Sequence, residues 1–168
     1  MEPIEPATLR ALFGNARAQD LGMPDLEHVD WAVLDYLGWI HPAGHQGYVV
    51  VPIAPSENEP EGGLRGLRLR RMLASGGRPR TQLCSWCHHV YRGRGTAMFS
   101  TSVNGTDGRR RIGNYICMNL DCSLRIRNLA SDPPTYMPET LDLEAKVNRL
   151  RLSIHTFMAR ANQPSLYG

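Results

Sequence analysis

The chain has 168 residues, 42% of them hydrophobic, and a net charge of only +3, which suits a single domain with a modest core. No apolar run approaches the ~20 residues of a membrane span, and Met1-Glu2-Pro3-Ile4-Glu5-Pro6 has neither the basic nor the apolar region of a signal peptide. The expectation is a cytoplasmic protein with reduced thiols and no membrane partner.

The charge is unevenly spread. Residues 1–63 hold two Arg against ten acids, a net −8. Residues 64–127 hold thirteen Arg against Asp107 and Asp121, a net +11, and residues 128–168 are neutral. The middle stretch calls for an anionic partner, either RNA or an acidic protein face. The alternative is that its arginines scatter over the surface, partly neutralised by the acidic N-terminal part.

Residues 6–19 read as a short helix, with Leu9, Leu12, Phe13 and Ala16 on one face, Pro6 in the first turn, and Gly22-Met23-Pro24 as the stop. Residues 31–40 are apolar and aromatic, fitting helix or strand, with the second half favouring strand. Residues 41–47 read as a turn and 47–53 (GYVVVPI) as a strand, so 35–41 and 47–53 form a hairpin. An acidic loop follows at 54–63. Residues 64–72 alternate Leu67-Arg68-Leu69-Arg70, which suits a strand with one wet face, although a short helix also fits. Residues 74–80 are another loop.

All four cysteines follow, as Cys84-x2-Cys87 and, with 29 residues between, Cys117-x4-Cys122. Two close pairs separated by a basic stretch are what a structural zinc site needs, and four thiolates complete a tetrahedron. Two disulfides would need an oxidising compartment, and a redox Cys-x2-Cys would leave the second pair unexplained. His88 and His89 are conceivable substitute ligands but read better as surface residues of the turn. Residues 83–87 form a knuckle whose N–H groups point at the sulfurs. Residues 96–103 and 109–117 read as strands around the Asn104-Gly105-Thr106-Asp107-Gly108 turn. Residues 119–129 read as a helix with Cys122 in its first turn. Knuckle, hairpin and helix in that order define a treble-clef zinc finger over 81–130; a zinc ribbon would place the second pair on another knuckle.

A Pro-rich linker at 131–138 leads to the strongest helix, 140–161 within a C-terminal segment 139–161. Thr140 suits its N-cap, and Leu143, Val147, Leu150, Ile154, Phe157 and Met158 form one apolar stripe. That stripe fits packing on the domain core, or presentation to a partner or second copy. The predicted class is α+β: a small antiparallel β-structure with a four-cysteine treble clef, flanked by an N-terminal and a long C-terminal helix.

A zinc held by four thiolates is coordinatively closed. The 80–130 segment offers only Asp107 and Asp121 as carboxylates, and no phosphate loop or nucleophile elbow is present. No catalytic residue and no small-molecule substrate are therefore expected. The metal scaffolds a binding surface, and the hairpin presents Arg109, Arg110, Arg111, Asn114 and Tyr115. Arginines beside an aromatic suit RNA and protein interfaces alike.

The run GNYICMNLDCSLRIR (113–127), preceded by CSWC (84–87), resembles the treble-clef domain of the elongation factor G-binding proteins, the FusB-type fusidic acid resistance family. The segment LDYLGWIHPAGHQGYVVV (34–51) is similar to that family's upstream strands, with its Asp-Tyr-x-x-Trp and Gly-Tyr-Val-Val elements. The resemblance covers roughly residues 30–130. It implies zinc on Cys84, Cys87, Cys117 and Cys122, binding to elongation factor G, and help in its release from the ribosome without enzymatic chemistry. It also implies a factor-binding face containing Arg109, Arg110, Arg111 and Tyr115. Resistance proteins of the family carry a helical bundle ahead of this domain that the present chain is too short to hold in full, so a stand-alone role in translation is the expectation. An Arg-rich RNA- or ribosome-binding module, with ribosomal RNA contact, is the alternative.

Overall fold

The computed structural model describes residues 1–55, 62–73, 81–130 and 139–162. The central part of the expected acidic loop (56–61), the 74–80 loop and the 131–138 linker lie outside the described residues.

Five strands form one antiparallel sheet in the order β1-β2-β3-β6-β7, built from β1 (Leu37–Ile40), β2 (Gln46–Ile53), β3 (Gly63–Met72), β6 (Thr96–Ser102) and β7 (Arg111–Cys117). A two-stranded ribbon of β4 (Gln82–Leu83) and β5 (Val90–Tyr91) carries the knuckle. The expected first hairpin is present, with Leu37 opposite Val50 and Ile40 opposite Gly47. The zinc-finger hairpin β6–β7 is not a separate unit, because β3 pairs with β6 and joins it to the upstream strands. The mixed helical and antiparallel architecture is the α+β class expected from the sequence.

β2 explains why its sequence is an uninterrupted apolar run. Successive side chains on a strand point to opposite faces, and both faces of β2 are covered. Val49 and Val51 join a core with Leu69, Phe99, Ile116 and the cysteines, whereas Tyr48 and Val50 join a second core with Leu37 and Trp39. β3 keeps the alternation read from its sequence, with Leu67 and Leu69 turned to the zinc-side core and Arg68 and Arg70 left on the opposite face.

The N-terminal segment covers the second core. The single helix expected over 6–19 is two short ones, α1 (Pro6–Ala11) and α2 (Ala18–Leu21). Gly14 and Asn15 adopt left-handed backbone between them, at φ 73° and 56°, which interrupts the helix and lets Phe13 turn inward. Phe13 meets Trp39 and Tyr48 edge-on at 5.8 and 5.2 Å, while Trp39 and Tyr48, paired across β1 and β2, stack at 4.9 Å. The buried Trp39 Nε1 donates to Leu21 O at 2.9 Å.

The long helix α4 runs Leu143–Asn162. Its N-terminus is capped by Asp142, not Thr140: Asp142 Oδ1 accepts from Ala145 N–H at 2.8 Å. Leu150, Ile154, Phe157 and Met158 are buried in the zinc-side core, Val147 packs at its margin, and Leu143 stays half exposed. The stripe therefore packs on the chain's own core. At its far end, Asn104 N–H donates to Ala161 O and Asn104 Nδ2 to Asn162 Oδ1, both at 2.9 Å, which ties the helix to the β6–β7 turn.

Candidate metal centre and hairpin surface

The four cysteines meet. Cys84 and Cys122 sulfurs stand 3.7 Å apart, Cys87 and Cys117 sulfurs 3.4 Å apart, and all four ligand atoms lie within 4.8 Å of one another. A tetrahedron with Zn–S bonds of about 2.3 Å has S···S edges of about 3.8 Å, so the donor set fits zinc. None of the four forms a disulfide, and all are buried. Neither His88 nor His89 belongs to the cluster. Left without an ion, the thiols would share protons. Burial holds Cys122 well above the usual thiol range, reinforced by its hydrogen bonds with Cys117, Cys84 and Cys87. Cys122 is thus unfavourable as an anion until a cation displaces its proton, whereas at Cys84 burial is outweighed by hydrogen bonds from Cys117, Cys122 and Cys87, which hold that thiol well below the usual range.

Each ligand pair is placed by local backbone. In the knuckle, Trp86 N–H and Cys87 N–H aim at Cys84 Sγ at 3.4 and 3.5 Å, and His88 turns the chain with φ 60°. Ser85 N–H donates to Tyr115 O at 2.8 Å, docking the knuckle on β7. Cys117 ends β7. The four residues that follow include Leu120 at φ 57°, a left-handed step that delivers Cys122 to the start of α3 (Cys122–Ile126).

Side chains distant in sequence then brace this framework. Tyr36 O–H donates to Leu120 O at 2.8 Å and accepts from Cys122 N–H at 3.3 Å. Burial, with the adjacent Cys122 sulfur, holds its hydroxyl well above the usual tyrosine range, so it stays a donor. Trp86, fully buried, sits between Tyr36 and Phe157 with edge-on ring contacts at 5.8 and 5.7 Å. Arg149 of α4 donates to Cys87 O at 2.8 Å and pairs with Glu139 at 2.8 Å. Asp35, its carboxylate fully buried, receives Arg127 at 2.6 Å and Arg151 at 3.1 Å, and its N–H donates to Ser123 Oγ at 3.0 Å. One carboxylate thus holds the segment before β1, α3 and α4 together.

These braces escaped sequence reasoning as site residues. The signal was present in Asp35-Tyr36-x-x-Trp39: Asp35 clamps two helices, Tyr36 caps the metal loop, and Trp39 anchors the other core. Gly38 in the same element must lack a side chain, since a Cβ there would lie 2.9 Å from Leu120 O.

The expected hairpin surface divides. Arg109 and Arg110 lie in the exposed turn, where Arg109 faces Asp107 at 3.5 Å. Arg111 and Tyr115 share the outer face of β7, and Tyr115 is half exposed. Asn114, one residue out of phase, points to the opposite face. Arg111 is held on β6 by hydrogen bonds to Ser100 O and Ser102 Oγ, both at 3.0 Å.

Knuckle, hairpin and helix around a sealed tetrahedral donor set define a treble-clef zinc-binding protein. A family model described as the FBP C-terminal treble-clef zinc-finger matches residues 8–161, and the chain belongs to this family. Among solved structures, the fusidic acid resistance protein FusC shares the fold with a TM-score of 0.55 at 15% identity. The match covers 95% of this chain and 59% of FusC. No curated protein matches the sequence. No helix among the described residues is long and apolar enough to cross a membrane.

Proposed function

We propose that this chain is a non-enzymatic cytoplasmic zinc protein that binds elongation factor G and modulates its release from the ribosome during translation. The observation that carries this reading is the family match over residues 8–161, joined to a four-thiolate site with no open position. The likeness to a fusidic acid resistance protein supports it through the fold. In this reading residues 1–168 act as one domain, the 81–130 treble clef provides the rigid element, and the β6–β7 hairpin supplies the contact through Arg109, Arg110, Arg111 and Tyr115, whereas Asn114 on the opposite face drops out of it. Stiffness matters, because a surface fixed before docking loses less entropy on binding.

Calorimetric titration of the zinc-loaded chain against purified elongation factor G tests the proposal. A complex at micromolar concentration is expected, and absence of heat and of co-elution would overturn it. Arg109→Ala with Arg110→Ala is expected to weaken the complex while leaving zinc content and melting temperature unchanged.

A further inference from the structure

The outer face of the sheet holds a cleft that neither the metal centre nor the aromatic core uses. β3 pairs with β2 along its length but with β6 only at Arg70–Met72, opposite Ser100–Met98. Beyond that point β3 and β6 part, while β6 and β7 stay paired to Ser102 opposite Arg111. The resulting cleft is about 610 Å³. Arg68 and Arg70 line one wall, Ser102, Asn104 and Arg111 the other, and His45 also lines it. We propose that this cleft binds the phosphodiester backbone of single-stranded RNA.

Charge is the first argument. Three guanidinium groups border one cleft, and no carboxylate is among its lining residues within the described part of the chain. Elsewhere Arg17, Arg109, Arg125, Arg127, Arg149 and Arg151 each face a carboxylate. Strands β2, β3, β6 and β7 contain no acid at all. Three like charges with no counter-charge beside them among the described residues form a field that an anion relieves. Two of the guanidiniums are also held: Arg111 by Ser100 and Ser102, and Arg68 over the Tyr48 ring at 5.8 Å.

Chemistry favours nucleic acid over an acidic protein. The walls interleave arginine with hydroxyl and amide side chains, the residue types that contact phosphate and sugar, and among the described residues Leu69 is the only apolar one lining the cleft. Protein interfaces centre on apolar and aromatic anchors instead. Four residues along β7 from Arg111, or about 13 Å at strand spacing, Tyr115 exposes half its surface on the same face. That ring offers a stacking platform for a base beyond the phosphate-binding cleft. Arg111 and Tyr115 belong to both surfaces, but Arg68 and Arg70 lie outside the one assigned to factor binding and Arg109 and Arg110 lie outside the cleft, so variants at these two pairs let the two proposals fail separately.

Fluorescence anisotropy of the zinc-loaded chain with a labelled mixed-sequence RNA decamer tests the cleft. Binding is expected to weaken with salt at a log–log slope of about −2, as three phosphate contacts require at ~0.7 each. Arg68→Gln, Arg70→Gln and Arg111→Gln together should lower affinity roughly tenfold or more. Ser102→Asp, which brings a carboxylate to Arg111, should do the same should the triple variant fold poorly. Arg109→Gln with Arg110→Gln should retain RNA affinity. The proposal is overturned by absence of RNA binding at low salt, by cleft variants that bind as tightly as the parent, or by polyglutamate outcompeting RNA.

Discussion

The two faces of the sheet are held by different physics. The N-terminal side is local: α1, α2 and the aromatic set Phe13, Trp39 and Tyr48 come from the first fifty residues and bury apolar area. The zinc side is assembled from afar, joining Tyr36, the knuckle, β7, α3 and α4. It buries apolar side chains as well, Trp86, Leu150, Ile154 and Phe157 among them, and adds metal bonds, buried hydrogen bonds and one shared carboxylate to that area. The contrast shows how one β2 strand can serve a core whose stability scales with surface removed from water and another whose stability depends on a ligand.

Removing the ion should break the comparison most strongly. Chelation, or Cys117→Ser, is expected to abolish hydrogen-exchange protection at Ser85, Cys117 and Leu150 while Tyr48 loses less. Structural zinc contributes on the order of 10 kcal/mol in comparable modules, and unchanged protection would refute a metal-dependent face. Next come matched core truncations. Trp39→Ala and Phe157→Ala should each cost about 3–5 kcal/mol in chemical denaturation, but only Phe157→Ala should also weaken zinc retention in a chelator competition. Asp35→Ala should cost about 3 kcal/mol, the low end for a broken buried pair, because Arg151 can turn to water; its side chain is 57% exposed. Tyr36→Phe should cost roughly 1–3 kcal/mol by leaving Leu120 O unpaired, and zinc should leave faster. Leu152→Ala, at a position 68% exposed, should change stability by less than about 0.5 kcal/mol.

Much of the metal centre was legible because ligand spacing is local chemistry: Cys84-x2-Cys87 requires a knuckle, and Cys122 needs only a helix start. β3 was legible through its Leu–Arg alternation, and α4 through its stripe. Less was legible wherever long-range packing chose between locally equivalent options. Thr140 and Asp142 are both good caps, and the tertiary position of α4 selected Asp142. A helical pattern over 6–19 was interrupted by the left-handed step at Gly14–Asn15. Asp35 meets Arg127 and Arg151 across 92 and 116 residues, a separation that carries no periodicity. Pairing of β3 with β6 likewise has no local signature, so the continuous sheet and its splayed cleft emerged only in three dimensions.

The seat of α4 on the knuckle has a consequence for biogenesis. Trp86 and the Cys87 carbonyl are covered by Phe157 and Arg149, which a ribosome synthesises some sixty to seventy residues later. The nascent knuckle therefore emerges with its indole uncovered and its thiolates reachable, and arrival of the helix closes the door behind the ion. A chain truncated before Leu143 is therefore expected to lose its zinc to a chelator faster than the full chain, since Phe157 and Arg149 no longer cover the knuckle.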